Sequence, residues 1–139
     1  MRTLFAACLL MPALLSGCRT PQSMVEAFTK GGPPVLESAR SSLVHDPGPT
    51  VVTEFRFHSA DGNAVALHRE ILTSDLQDPP PSLSDRTIDV DPDRQREGAV
   101  FSVRWSCGPG QRSLRMQAEL IDSNHHHSNP AEYAIDCPG

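Results

Sequence analysis

The chain has 139 residues, 17 acidic against 12 basic, with a formal charge of −5 when its six histidines are neutral. That balance excludes a nucleic-acid partner, which needs a basic face to meet phosphate. The length excludes two independent cores and leaves one domain of common size.

The first element is an apolar run from Leu4 to Leu15 behind Arg2, broken only by Pro12 and ending in small residues before Cys18. This is the architecture of a secretory signal, and the run is too short to span a bilayer as a helix. Leu15-Ser16-Gly17-Cys18 resembles the bacterial lipobox. The resemblance implies that the Cys18 thiol receives a diacylglyceryl group, that residues 1–17 are cut away as a lipoprotein signal peptide, and that the new amino terminus is acylated. Several acyl chains hold a protein on a membrane where one gives only reversible attachment. Arg19 rather than Asp follows the cysteine, which by resemblance to the enterobacterial sorting rule implies the outer membrane, facing the periplasm or the surface. A Gram-positive surface lipoprotein is the other reading of the same residues. Either way the expectation is a lipid-anchored protein of the bacterial cell envelope.

Cysteine usage agrees with export. Cys8 leaves with the signal and Cys18 is taken by lipid, so Cys107 and Cys137 remain. Two thiols in an oxidising compartment favour a disulfide, and they lack the C-x-x-C spacing of a redox or metal pair.

Residues 18–34 contain Thr20-Pro21-Gln22-Ser23 and Gly31-Gly32-Pro33-Pro34, composition that suits a flexible spacer. Between them Met24 to Phe28 reads as a loosely ordered part of the tether. From 35 to 139 the apolar pattern has period two. Val35 to Leu43 predicts a first strand. Val51, Phe55 and Phe57 share one face of a second strand, with Glu54, Arg56 and His58 on the other. Asp61-Gly62 supplies turn chemistry, after which Val65, Leu67 and Ile71 alternate with Ala66, His68 and Glu70, so a hairpin is predicted. Arg69 falls on the inward parity, which points to a sheet margin or a bulge. Pro79-Pro80-Pro81 stops any strand, and Thr87 to Asp91 predicts a short edge strand with Ile88 and Val90 inward.

The last third is the most regular. Phe101, Val103, Trp105 and Cys107 alternate with polar residues, as do Leu114, Met116, Ala118 and Leu120, and then Tyr133, Ile135 and Cys137. Gly108-Pro109-Gly110 and the stretch from Asn124 to Pro130 are the turns between them. About seven strands separated by turns predict an all-β sandwich, immunoglobulin-like or fibronectin-III-like. In a flat meander the first and third of these last strands would lie about 10 Å apart, whereas a disulfide needs Cα atoms within about 7 Å. Pairing of Cys107 with Cys137 therefore places the first of them in the opposite sheet. A loop of this length is worth about 3 kcal/mol in the chain-entropy account.

The run Val103-Arg104-Trp105-Ser106-Cys107-Gly108-Pro109-Gly110, then Leu114 to Asp122, then Ser128-Asn129-Pro130-Ala131-Glu132-Tyr133, resembles the end of bacterial immunoglobulin-like domains. Such domains show a strand, a glycine and proline turn, a strand closing on an aspartate, a loop ending in Ser-Asn-Pro and a last strand. The resemblance implies architecture and no activity. The chain departs from it by carrying His125-His126-His127 where a glycine is expected.

These three histidines, with Asp122 near, are the one conspicuous polar cluster and the candidate ligands for zinc, nickel or copper. Against a site, adjacent residues point in different directions. Asp89, Asp91 and Asp93 fail as an EF-hand because Arg94 and Val100 stand where Gly and Glu are needed. No Gly-x-Ser-x-Gly elbow is present, and no Ser-x-x-Lys surrounds the single lysine, Lys30. The expectation is a noncatalytic binding or assembly module without a cofactor, meeting an envelope protein or glycan through a sheet edge or end loops. The other readings are a metal-responsive protein using His125 to His127, or a small enzyme or enzyme inhibitor.

Overall fold

Alternation of apolar and polar residues builds most of the strands as expected. The structure is a computed structural model that describes residues 31–74, 83–109 and 112–138. The signal, Cys18 and the Met24 to Phe28 stretch lie outside the described residues. The elements run β1 (Val35–His45), β2 (Pro49–His58), β3 (Ala64–Ser74), β4 (Arg86–Thr87), α1 (Pro92–Glu97), β5 (Ala99–Ser106), β6 (Arg112–Asp122) and β7 (Ala131–Cys137). They form two antiparallel sheets, β1-β2-β5 and β4-β3-β6-β7. This is the expected all-β sandwich, divided three against four.

The core lies between the sheets. Val51, Phe55 and Phe57 of β2, Leu114, Met116, Ala118 and Leu120 of β6, and Tyr133, Ile135 and Cys137 of β7 are all buried. These are the inward positions read from period two. Phe55 stands at the centre, stacked on Phe101 at 5.2 Å between ring centroids and meeting Tyr133 edge-on at 5.3 Å.

The predicted hairpin between β2 and β3 is absent. Ser59 to Asn63 does turn, with Gly62 at a φ of 64° and its N–H donating to Ser59 O. It carries the chain from one sheet to the other, because β2 pairs with β1 and β5 while β3 pairs with β4 and β6. An apolar face looks the same in sequence whether the next strand pairs beside it or packs across from it. A Cβ on Gly62 would also stand 2.6 Å from Pro92 O, so the close approach of α1 requires glycine there.

A register irregularity corrects one inward assignment on β3, that of Val65. A shift between Ala64 and Ala66 buries Ala64 and leaves Val65 41% exposed. A second register shift lies between Ile71 and Thr73, and Leu72 is exposed on the outward parity. Arg69 keeps its inward parity and is 8% exposed. The edge strand predicted over Thr87 to Asp91 is shorter, at Arg86–Thr87. Ile88 is nonetheless buried, and its N–H donates to Val65 O.

The helix α1 was not predicted. Asp91 caps it, accepting from the N–H groups of Asp93 and Arg94, and Pro92 opens its first turn. Its Gln95 is buried and ties helix to sheet: Ala64 N–H donates to its Oε1, and its Nε2 donates to the carbonyls of Ala64 and Val90.

Cys107 and Cys137 form a disulfide with Cα atoms 5.6 Å apart. It joins the end of β5 to the end of β7, one from each sheet. The turn through Gly108 and Pro109 therefore crosses between sheets, as the cysteine geometry required.

Candidate functional site

The open side of β5 gathers groups that the fold leaves without partners. β5 has a neighbour on one side only, β2. The Cys107 N–H donates to Pro49 O at 2.9 Å, which sets the phase of the ladder. In an antiparallel pair, alternate residues bond the neighbour. The backbone groups of Phe101, Val103 and Trp105 therefore face β2, and those of Val100, Ser102 and Arg104 face the open edge. An edge of this kind is a template for another strand unless proline, a bulge or charge blocks it. Here neither proline nor a bulge interrupts it.

Side chains beside the edge are incompletely covered. Phe101, Val103 and Trp105 point inward yet stay half-buried, since only the two residues of β4 form the facing margin of the other sheet. Val100 points outward and is 47% exposed. Two depressions flank the strand. One of about 560 Å³ sets Asp89, Val90, Asp91 and Arg94 against Val100 and Phe101. The other, of about 310 Å³, sets Arg86 and Thr87 against the stretch from Phe101 to Arg104. The edge is thus unevenly charged, with Arg86 and Arg104 toward the end of β5 and Asp89, Asp91 and Arg94, one net negative charge, toward its start.

No protein family, curated protein or solved structure matches the chain. The chemistry of its surfaces carries the functional reading.

The outer face of β1-β2-β5 carries both signs, with Arg40 and Arg56 lining a depression beside Glu37 and Glu54. Arg40 lies opposite Glu54, Arg56 opposite Ser38, and Arg104 opposite Val52. Among the described residues none of these three arginines has a carboxylate within ion-pair distance. The outer face of the other sheet differs, because Arg115 meets Glu132 there at 3.5 Å and His127 meets Glu119 at 2.9 Å.

The histidine turn is built around Asp122, which is 2% exposed at the end of β6. Its Oδ1 accepts from the N–H groups of Asn124 and His126, each at 2.8 Å, and its Oδ2 lies 3.0 Å from His126 Nδ1. His125 has a φ of 64°, the left-handed conformation glycine would adopt with least strain. The rings separate: His126 turns to Asp122 and His127 to Glu119. Among the described residues no three His, Cys, Asp or Glu side chains are placed to hold a metal. Asp91 is spent on the cap of α1, and Asp93 pairs with Arg96.

Burial opposes the charge of Asp122, but the hydrogen bonds from His126 and Asn124 outweigh it and hold the carboxyl below the ordinary aspartate range. A folded-state pKa below the unfolded one contributes stability above the unfolded value of about 3.9 and loses it as pH falls through the folded value. Asp122→Asn keeps the shape and removes the charge, so it should destabilise by about 2 kcal/mol at neutral pH. The difference from wild type in urea unfolding should shrink below about pH 4; a gap that does not vary with pH would refute the charge account.

Arg69 and Tyr133 are the buried ionisable pair. Burial raises the tyrosine to about 12, opposed by the Arg69 charge, and burial lowers the arginine, opposed by Tyr133. Neither exchanges a proton near neutrality. The guanidinium donates through Nη2 to Ser84 O at 3.1 Å, while its Nε has no partner among the described residues.

Residues at the open edge were missed from sequence because alternation assigns Val100 and Arg104 to a wet face without saying what lies beside the strand. The signal that did exist was the absence of proline and the presence of only one charge, Arg104, between Ala99 and Ser106.

Proposed function

We propose that this chain is a noncatalytic binding or assembly module of the bacterial envelope, held on the membrane through lipid on Cys18 and engaging a partner at the β5 edge. The observation that carries the reading is the concentration there of unsatisfied groups: edge backbone at Val100, Ser102 and Arg104, half-buried aromatic and aliphatic side chains, and unpaired arginines. Strand addition draws affinity from main-chain hydrogen bonds and selectivity from adjoining pockets. The lipobox resemblance supports the anchor. It also gives position a role, since a tethered module meets partners on the same membrane at raised effective concentration.

The test places a photo-crosslinking residue at Ser102, and separately at Gln117 on the opposite sheet, in the full chain within its native envelope. A discrete product from position 102 and none from position 117 is the expected result. Loss of that product in Cys18→Ala would make membrane position part of the function, and its retention would locate recognition in the sandwich. Failure to crosslink at position 102 in the anchored chain would refute the reading.

A further inference from the structure

We propose that the partner at this edge is a second copy of the chain, with β5 pairing antiparallel to its own symmetry mate so that the β1-β2-β5 sheet continues across both molecules. This rests on reading the edge as a binding surface.

The register follows from which backbone groups are free. An antiparallel pair exchanges both bonds between residues whose N–H and C=O face each other. With Val100, Ser102 and Arg104 facing outward, a two-fold axis at Ser102 matches Ser102 with Ser102 of the second copy and Val100 with Arg104 of the second copy. On the inward side it matches Phe101 with Val103, covering side chains that are half-buried in the single chain. No like charges meet along the strand.

Charge complementarity favours the second copy over an unrelated peptide. Arg104 shares one depression with Arg86, and Val100 shares the other with Asp89, Asp91 and Arg94, where Asp91 is held at the cap of α1 and Asp89 carries no ion pair among the described residues. Reversing the strand about Ser102 brings the arginine end of each molecule onto the aspartate end of the other. The match occurs twice, as an isologous interface demands. An acidic peptide would satisfy the arginines but meet Asp89 at the far end, and a basic one would meet Arg86 and Arg104.

Sedimentation of the full chain in mild detergent, across a wide concentration range, tests this. A reversible dimer is expected. Arg104→Glu should weaken it by about tenfold or more, because it sets like charges against each other across the interface. Adding Asp89→Arg to Arg104→Glu should restore it, a recovery that misfolding cannot produce. Ser102→Pro should abolish the dimer while leaving the β2 ladder intact, since that N–H faces the edge. A chain that stays monomeric, or a dimer indifferent to these substitutions, would overturn the proposal. A monomer that still crosslinks from Ser102 to a different protein would remove self-association while leaving the proposed function standing.

Discussion

Phe55→Ala should lower the stability of the domain by about 4 kcal/mol, the upper range for truncation of a buried aromatic. The ring is 0% exposed on the central strand of the smaller sheet and touches both layers, stacking on Phe101 of β5 and meeting Tyr133 of β7 edge-on. Aromatic pairs add about 0.5–1.5 kcal/mol beyond their buried area, so the substitution removes both the transfer contribution and two oriented contacts. The surrounding side chains cannot collapse into the space without moving the two sheets together. Domains of this size are stable by only about 5–15 kcal/mol, which makes the loss easily read in urea unfolding. A loss below about 1.5 kcal/mol would mean that the centre of the core lies elsewhere.

Replacing Cys107 and Cys137 together by alanine should cost about 3 kcal/mol and lower the melting temperature by roughly 10–20 °C. The mechanism differs from that of Phe55. The bridge closes a loop of sequence separation 30 and links strand ends that belong to different sheets, so its main effect is to restrict the unfolded chain. The folded double variant should therefore keep the near-ultraviolet signature of Tyr133 and Trp105 while unfolding earlier. Wild type treated with reductant should follow the same curve. Equal stability of oxidised and reduced protein would refute the account.

How far the fold was legible depended on which physical signal each part carries. Val51, Phe55 and Phe57, or Leu114, Met116 and Leu120, announce their inward faces because period two is the geometry of a strand. Strand partnership carries no such local signal, and so Ser59 to Asn63 read as a hairpin turn when it is a crossing between sheets. The two cysteines supplied what periodicity lacked, since a covalent distance limit is a statement about which strands can be near each other. The helix α1 was hidden by its shortness, although Asp91-Pro92 is a sound helix start. Its acidic residues were weighed as ligands instead. The histidines stood out as a triplet in sequence, but backbone geometry at His125 and separate carboxylates for His126 and His127 decide where the rings go. Arg86 and Arg104, far apart in the chain, come together only through the arrangement of the sheets.

The side-chain amide of Asn129 sits against the first strand, with its Oδ1 accepting from Leu36 N–H at 3.1 Å and its Nδ2 donating to Leu36 O at 2.9 Å. It fills the place of a neighbouring strand for a residue 93 positions earlier. A polypeptide delivered amino terminus first must hold β1 without this clasp until the 93 positions that separate Leu36 from Asn129 have arrived. Closing so long a loop is entropically late, and chains dominated by distant pairings of this kind fold in roughly milliseconds to seconds. During that interval the apolar side of β1 and β2 stays open to wrong partners, a hazard that would shorten if Asn129 and its turn came earlier in the chain.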